Sequence, residues 1–134
     1  MPVIDASVYV ALVNAHESGH ASSWAWFERS VMAGEEIMAP VILLAEVAAA
    51  LGRGTGDPRL AQRVLQQLAR SRLIELIPVS LPLAVQAAAI ASTHGIRGCD
   101  AIYVALTEQT GDTLFTLDQQ QLARGSAVVS TQEP

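Results

Sequence analysis

The stretch GCDAIYVALTEQTGDTLFTLD, Gly98 to Asp118, joins two kinds of element and carries an acid at each end. Gly98 to Thr110 reads as a helix in which Ile102, Val104, Ala105 and Leu106 are expected to be buried. Thr113 to Leu117 reads as the strand that follows. Asp100 falls in the first turn of the helix, and Asp118 stands just past the strand. A helix feeding a strand is the repeating unit of a parallel sheet, because parallel neighbours need a crossover between them.

The same alternation extends in both directions. Upstream, Pro2-Val3-Ile4 is a short buried strand ending at Asp5, and Ala6 to Ala15 is a helix. His16 to His20 holds Ser18 and Gly19 and reads as a break. Ala21 to Ala33 returns to helical spacing with Trp24, Phe27 and Val31. Ile37-Met38-Ala39 is a second strand, and Val41 to Leu51 is an apolar helix expected to stop near Gly52 and Gly54. Asp57-Pro58 opens another helix, Asp as N-cap and Pro in the first turn. Leu60, Val64, Leu65 and Leu68 form its apolar face. Leu73 to Ile77 is a third strand, and Ser80 to His94 a helix ended by Gly95. Downstream, Gln119 to Arg124 is a short helix and Ala127-Val128-Val129 a fifth strand. Strands alternating with helices predict an α/β protein, a parallel sheet with helices on both faces. No linker, repeat or low-complexity tract divides the chain, so residues 1–134 are expected to form one domain.

Four acids sit alone inside apolar stretches: Asp5, Glu46, Asp100 and Asp118. Asp5 is the only charged residue before Glu17, and Glu46 the only one between Pro40 and Gly52. A carboxylate in apolar surroundings is costly unless a partner or a metal compensates it. Topology brings the four together. In right-handed βαβ units every helix starts at the carboxyl edge of the sheet. Asp5 and Asp118 each follow a strand. Asp100 lies in the first turn, and Glu46 is expected in the second turn, of helices that start at that edge. Ligands of open α/β sheets bind at this rim, where strand order reverses. Carboxylate oxygens without cysteine or clustered histidine favour a hard cation, Mg²⁺ or Mn²⁺. Such a site can activate a water and stabilise a leaving oxygen at a phosphodiester. Taken singly, Asp5, Asp100 and Asp118 also read as helix caps, and Asp118 with Gln121 as a capping box. Glu46, beyond the cap of an apolar helix, reads otherwise only as a snorkelling or paired side chain.

Composition narrows the class. Net charge is −5 and hydrophobic residues are 51% of the chain. An acidic chain is not a simple nucleic-acid coat. All eight basic residues are arginine. The absence of lysine excludes a P-loop and disfavours receiver and haloacid-dehalogenase-like chemistries. Cys99 is the only cysteine, which excludes an intrachain disulfide and fits a reducing, cytoplasmic setting. It is expected to be a small buried residue. No apolar run approaches a membrane span and no leader is evident. His16-Glu17-Ser18-Gly19-His20 fits a zinc-protease pattern, but Ser18-Gly19 disfavours the regular helix that pattern needs.

The segments VIDASVYVAL (3–12), LLAEVAAAL (43–51) and GCDAIYVALTEQTGDTLFTLD resemble, in order and spacing, the motifs of PIN-domain ribonucleases, in particular VapC-type toxins of toxin–antitoxin pairs. The resemblance implies a five-stranded parallel sheet of order 3-2-1-4-5 and an Mg²⁺- or Mn²⁺-dependent endoribonuclease. It implies Asp5, Asp100 and Asp118 as metal ligands and Glu46 as the acid that positions or activates the attacking water. Ser7 and Thr116 match hydroxyls near the site, read here as local backbone partners. Arg97 could face the site and meet phosphate. Ala49 stands where many relatives carry asparagine. Implied partners are an RNA substrate, a cognate antitoxin bound near the early helices, and a second copy in a homodimer. Arg53, Arg59, Arg63 and Arg70 read as a solvated helix face rather than an RNA-facing stripe. Trp24 and Trp26 cannot share one helix face, so one aromatic is expected at the surface. The competing reading is a PIN-like module that acts by protein contact alone.

Overall fold

The computed structural model describes residues 1–134. Its elements are β1 (Val3–Ile4), α1 (Ala6–Val13), α2 (His20–Met32), β2 (Ile37–Pro40), α3 (Leu43–Thr55), α4 (Pro58–Arg70), β3 (Ile74–Ile77), α5 (Leu81–His94), α6 (Gly98–Thr110), β4 (Thr113–Phe115), α7 (Gln119–Gly125) and β5 (Ser130–Gln132). The strands form one parallel sheet of order β3-β2-β1-β4-β5. Helices flank it, giving the three-layer α/β/α fold expected. α6 lies over β1, β2 and β4 and carries α5, while α1, α3 and α4 pack in succession and α2 joins α1.

Strand order fixes where a site can form. The chain moves outward from β1 through β2 to β3, then crosses back to β4 on the other flank of β1. The carboxyl ends of β1 and β4 therefore diverge into helices on either side of one crevice. β1 is only two residues long but sits mid-sheet, with Val3 opposite Met38 and Leu114, and Ile4 opposite Phe115. Both are fully buried, as a central parallel strand covered on two faces requires. The core around them includes Val8, Leu43, Val47, Leu68, Leu83, Tyr103, Val104 and Leu114.

Three local expectations are corrected. The fifth strand is Ser130–Gln132, not Ala127 to Val129. Val128 and Val129 both donate backbone bonds to Gly125 O, so the apolar pair forms a turn. Both still pack against the core, so that run marks burial rather than extension. α3 starts at Leu43 and passes through Gly52 and Gly54 to Thr55. Thr55 Oγ1 donates to Leu51 O, and the stop falls at Gly56 in a left-handed cap. Cys99 is exposed rather than buried. It lies in the first turn of α6, whose buried side begins at Ala101. Trp26 is buried against Phe115, ring centroids 4.5 Å apart, while Trp24 is the exposed aromatic, between His20 and Phe27.

Candidate active site

Asp5 ends β1 and caps α1. Its Oδ1 accepts from Ser7 N at 3.0 Å, Val8 N at 3.4 Å and Ser7 Oγ at 2.5 Å. Its Oδ2 accepts from Thr116 Oγ1. Those hydroxyls serve the backbone as well. Ser7 Oγ accepts from Leu117 N at 2.9 Å, and Thr116 Oγ1 accepts from Asp118 N at 3.0 Å. Ser7 and Thr116 thus tie the loop after β4 to the carboxylate after β1. Asp5 is buried, and loss of hydration pushes its carboxyl up to about 6 despite these donors.

Asp118 caps α7, its Oδ1 accepting from Gln120 N and Gln121 N. The capping box closes on one side only. Gln121 does not return to Asp118; its Nε2 donates to Asp100 O at 3.1 Å and so ties α7 to α6. Asp100, in the first turn of α6, accepts from Arg97 Nε at 2.8 Å. Arg97 NH2 stands 3.5 Å from Asp118 Oδ2. One guanidinium therefore spans Asp100 and Asp118, and Asp100 holds it more firmly protonated than usual. Glu46 comes from the opposite wall. Because α3 begins two residues later than expected, Glu46 lies in its first turn rather than its second. Glu46 Oε1 accepts from Tyr103 Oη at 2.6 Å.

All four isolated acids line one recess of about 100 Å³, together with Ala6, Ser7, Arg97 and Tyr103. A polar groove of about 870 Å³ adjoins it. Ala6, Ser7, Glu46 and Asp118 border both. Ser18, Ser22, Ala49, Arg53 and Gln119 line the groove farther out. Arg59, Arg63 and Arg70 are exposed on α4 and line neither. The acids do not stand as a ready-made set of metal ligands. Asp5 is held by hydroxyls and amides, and Arg97 bridges the other two aspartates. The donor chemistry nevertheless fits a hard divalent ion, since every acidic group offers carboxylate oxygen and the recess already draws in a cation. His16 and His20 do not form a zinc pair: His16 lies in a turn, and His20 Nδ1 is 2.7 Å from Ala11 O.

Two contributors to the site escaped the sequence reading: Tyr103, which lines the recess, and Gln121, whose side chain holds the backbone of Asp100 from outside it. Tyr103 was detectable: it lies three positions after Asp100, on the same helical face. The reach of Gln121 to Asp100 had no local signal, because it depends on how α7 docks.

An acid-lined crevice at the switch point of a five-stranded parallel sheet defines a small α/β protein with one rim site. The chain belongs to the PIN domain family, whose profile matches residues 3–126. Among solved structures it is similar to the Mycobacterium tuberculosis sarcin–ricin-loop-cleaving toxin VapC20, at 22% identity and TM-score 0.75, covering 92% of this chain and 94% of that one. It is also similar to VapBC2 from Rickettsia felis bound to a promoter DNA fragment, at 15% identity and TM-score 0.74, covering 98% and 97%. A toxin–antitoxin complex from Klebsiella pneumoniae matches at 16% identity and TM-score 0.65 over 100% of both chains. At these identities the likeness is one of fold. No curated protein matches the sequence significantly.

Proposed function

We propose that this PIN-domain protein is a divalent-metal-dependent endoribonuclease and the toxin of a VapBC-type pair. The observation that carries the reading is the convergence of Asp5, Glu46, Asp100 and Asp118, from four separate elements, on one recess at the switch point. Asp5, Asp100 and Asp118 are the residues that would hold Mg²⁺ or Mn²⁺. When bound, the ion supplies charge stabilisation at the phosphodiester and lowers the pKa of the attacking water. The protein's own groups do the rest. Glu46 orients that water and takes its proton as the water oxygen attacks phosphorus; the bond to the ribose oxygen breaks, and that departing oxygen takes a proton from solvent. Ser7 and Thr116 keep Asp5 in place. Arg97 is two-thirds exposed at the mouth, so its guanidinium can leave the aspartates for a substrate phosphate. RNA would reach the recess along the adjoining groove, where Glu17 and Glu133 require cations beside Arg53 for a phosphate backbone to enter.

The toxin role is supported by the family and by the VapC, VapBC and toxin–antitoxin structures of the same fold. An antitoxin contact on the early helices is supported by the exposed Trp24 on α2, which stands between the half-buried rings of His20 and Phe27. A homodimer remains part of the same proposal.

The test is cleavage of a mixed RNA pool by purified protein with Mg²⁺, with Mn²⁺ and with chelator. Wild type should cut only with metal, and Asp5→Asn and Asp100→Asn should lose at least about 100-fold in rate while keeping their circular dichroism. Cleavage that survives chelator, or an Asp5→Asn variant as active as wild type, would sink the proposal.

A further inference from the structure

Tyr103 joins the site to the core. Its side chain is buried in α6, one turn beyond Asp100, and its hydroxyl crosses to α3 to meet Glu46 Oε1 at 2.6 Å. Burial, followed by the hydrogen bond and charge of Glu46, pushes the phenol well above its ordinary value. It stays a donor at any working pH. The two partners differ in freedom. The tyrosine has two side-chain torsions and a ring wedged in the core, so packing sets the position of its hydroxyl. Glu46 has three torsions and is only half-buried, at the border between groove and recess. Without a fixed partner, its carboxylate would sample several orientations across that border.

We propose that Tyr103 is a positioning residue for Glu46. It pins Oε1, and so restricts Oε2 to a short arc at the junction of groove and recess, where the attacking water must be oriented. The inference rests on the ribonuclease reading above and adds to it a group that acts through Glu46. Orientation of this kind acts on the chemical step more than on substrate affinity. A bond that merely fastened α6 to α3 would affect folding stability and nothing else.

Tyr103→Phe keeps the ring and removes the hydroxyl. Its kcat for RNA cleavage should fall about 10- to 100-fold, with KM within about twofold of wild type. Mn²⁺ affinity, measured by calorimetry without RNA, should stay within about twofold, because Glu46 is not among the expected ligands. Thr107→Val supplies the stability control. Thr107 is another buried α6 hydroxyl, bonded to Tyr103 O at 2.8 Å and with no link to Glu46. It should lower the melting temperature and leave kcat unchanged. A Tyr103→Phe enzyme with wild-type kcat refutes the positioning role, as does a Thr107→Val enzyme slowed to the same degree. Wild type and Glu46→Ala run alongside. Cleavage by wild type but not by Glu46→Ala, with Tyr103→Phe fully active, overturns the role of Tyr103 alone. No cleavage by wild type with either metal overturns the ribonuclease reading, and this inference with it.

Discussion

At the scale of single residues, Asp5 carries two duties that pull in opposite directions. As a cap it wants to be charged, and four protein donors favour that form. As a buried group it loses hydration, and that loss is larger, so the carboxyl rises to about 6. A folded-state value above the unfolded one means that folding favours the protonated acid. Its contribution to stability is complete below about pH 4. It is lost as pH climbs through about 6, and amounts to roughly 3 kcal/mol. In chelator, Asp5→Asn should therefore match wild type below pH 4 and exceed it above pH 6, since asparagine keeps the cap without the charge. Denaturant titrations of both proteins at pH 4 and pH 7 check this. A difference between the two that does not change with pH would show that Asp5 is not the desolvated group described.

At the scale of elements, the parts of the site that a sequence can reveal are those fixed by topology. Asp5, Asp118 and Asp100 were readable because each adjoins a strand end or helix start, and a parallel sheet puts those ends on one rim. Glu46 was readable because a lone charge in an apolar helix needs a reason. The partners of these acids were less legible. Tyr103 drew no reading of its own; it is core, and only its hydroxyl belongs to the site. Arg97 was flagged by spacing, but its bridge to Asp118 depends on the loop after β4. β5 was misplaced because an apolar pair in a turn mimics a strand, whereas the true strand, Ser130–Gln132, is polar. α3 ran long because two glycines lower helix propensity without forbidding a helix. The stop between α6 and β4 is firmer. Gly111 has φ 67°, the left-handed region, and donates to Thr107 O. Gly111→Ala should cost about 1 kcal/mol, read as a lowered denaturation midpoint, with no change in metal affinity. A neutral substitution would mean that this cap does not hold β4 in place.

At the scale of the whole molecule, the site couples to the fold because its ties cross the sheet's switch point. Ser7 and Thr116 bind β1's end to β4's, Gln121 binds α7 to α6, and Tyr103 binds α6 to α3. An ion held by these acids should therefore stabilise the entire domain. At a concentration 100 times its dissociation constant the gain is about 2.7 kcal/mol. That corresponds to a rise of several degrees in melting temperature for a domain of this size. Thermal scans with Mn²⁺ against chelator should show the rise in wild type and its absence in Asp100→Asn; equal shifts in both would mean the ion binds elsewhere. The outermost strands carry a separate consequence. β5 shows Ser130 and Gln132 to solvent, and β3 shows Glu75. The charge on β3 and the polar side chains of β5 give a neighbouring copy less reason to extend the sheet by adding its own strand. Fibril-like stacking is thereby discouraged, even in a chain this rich in apolar residues.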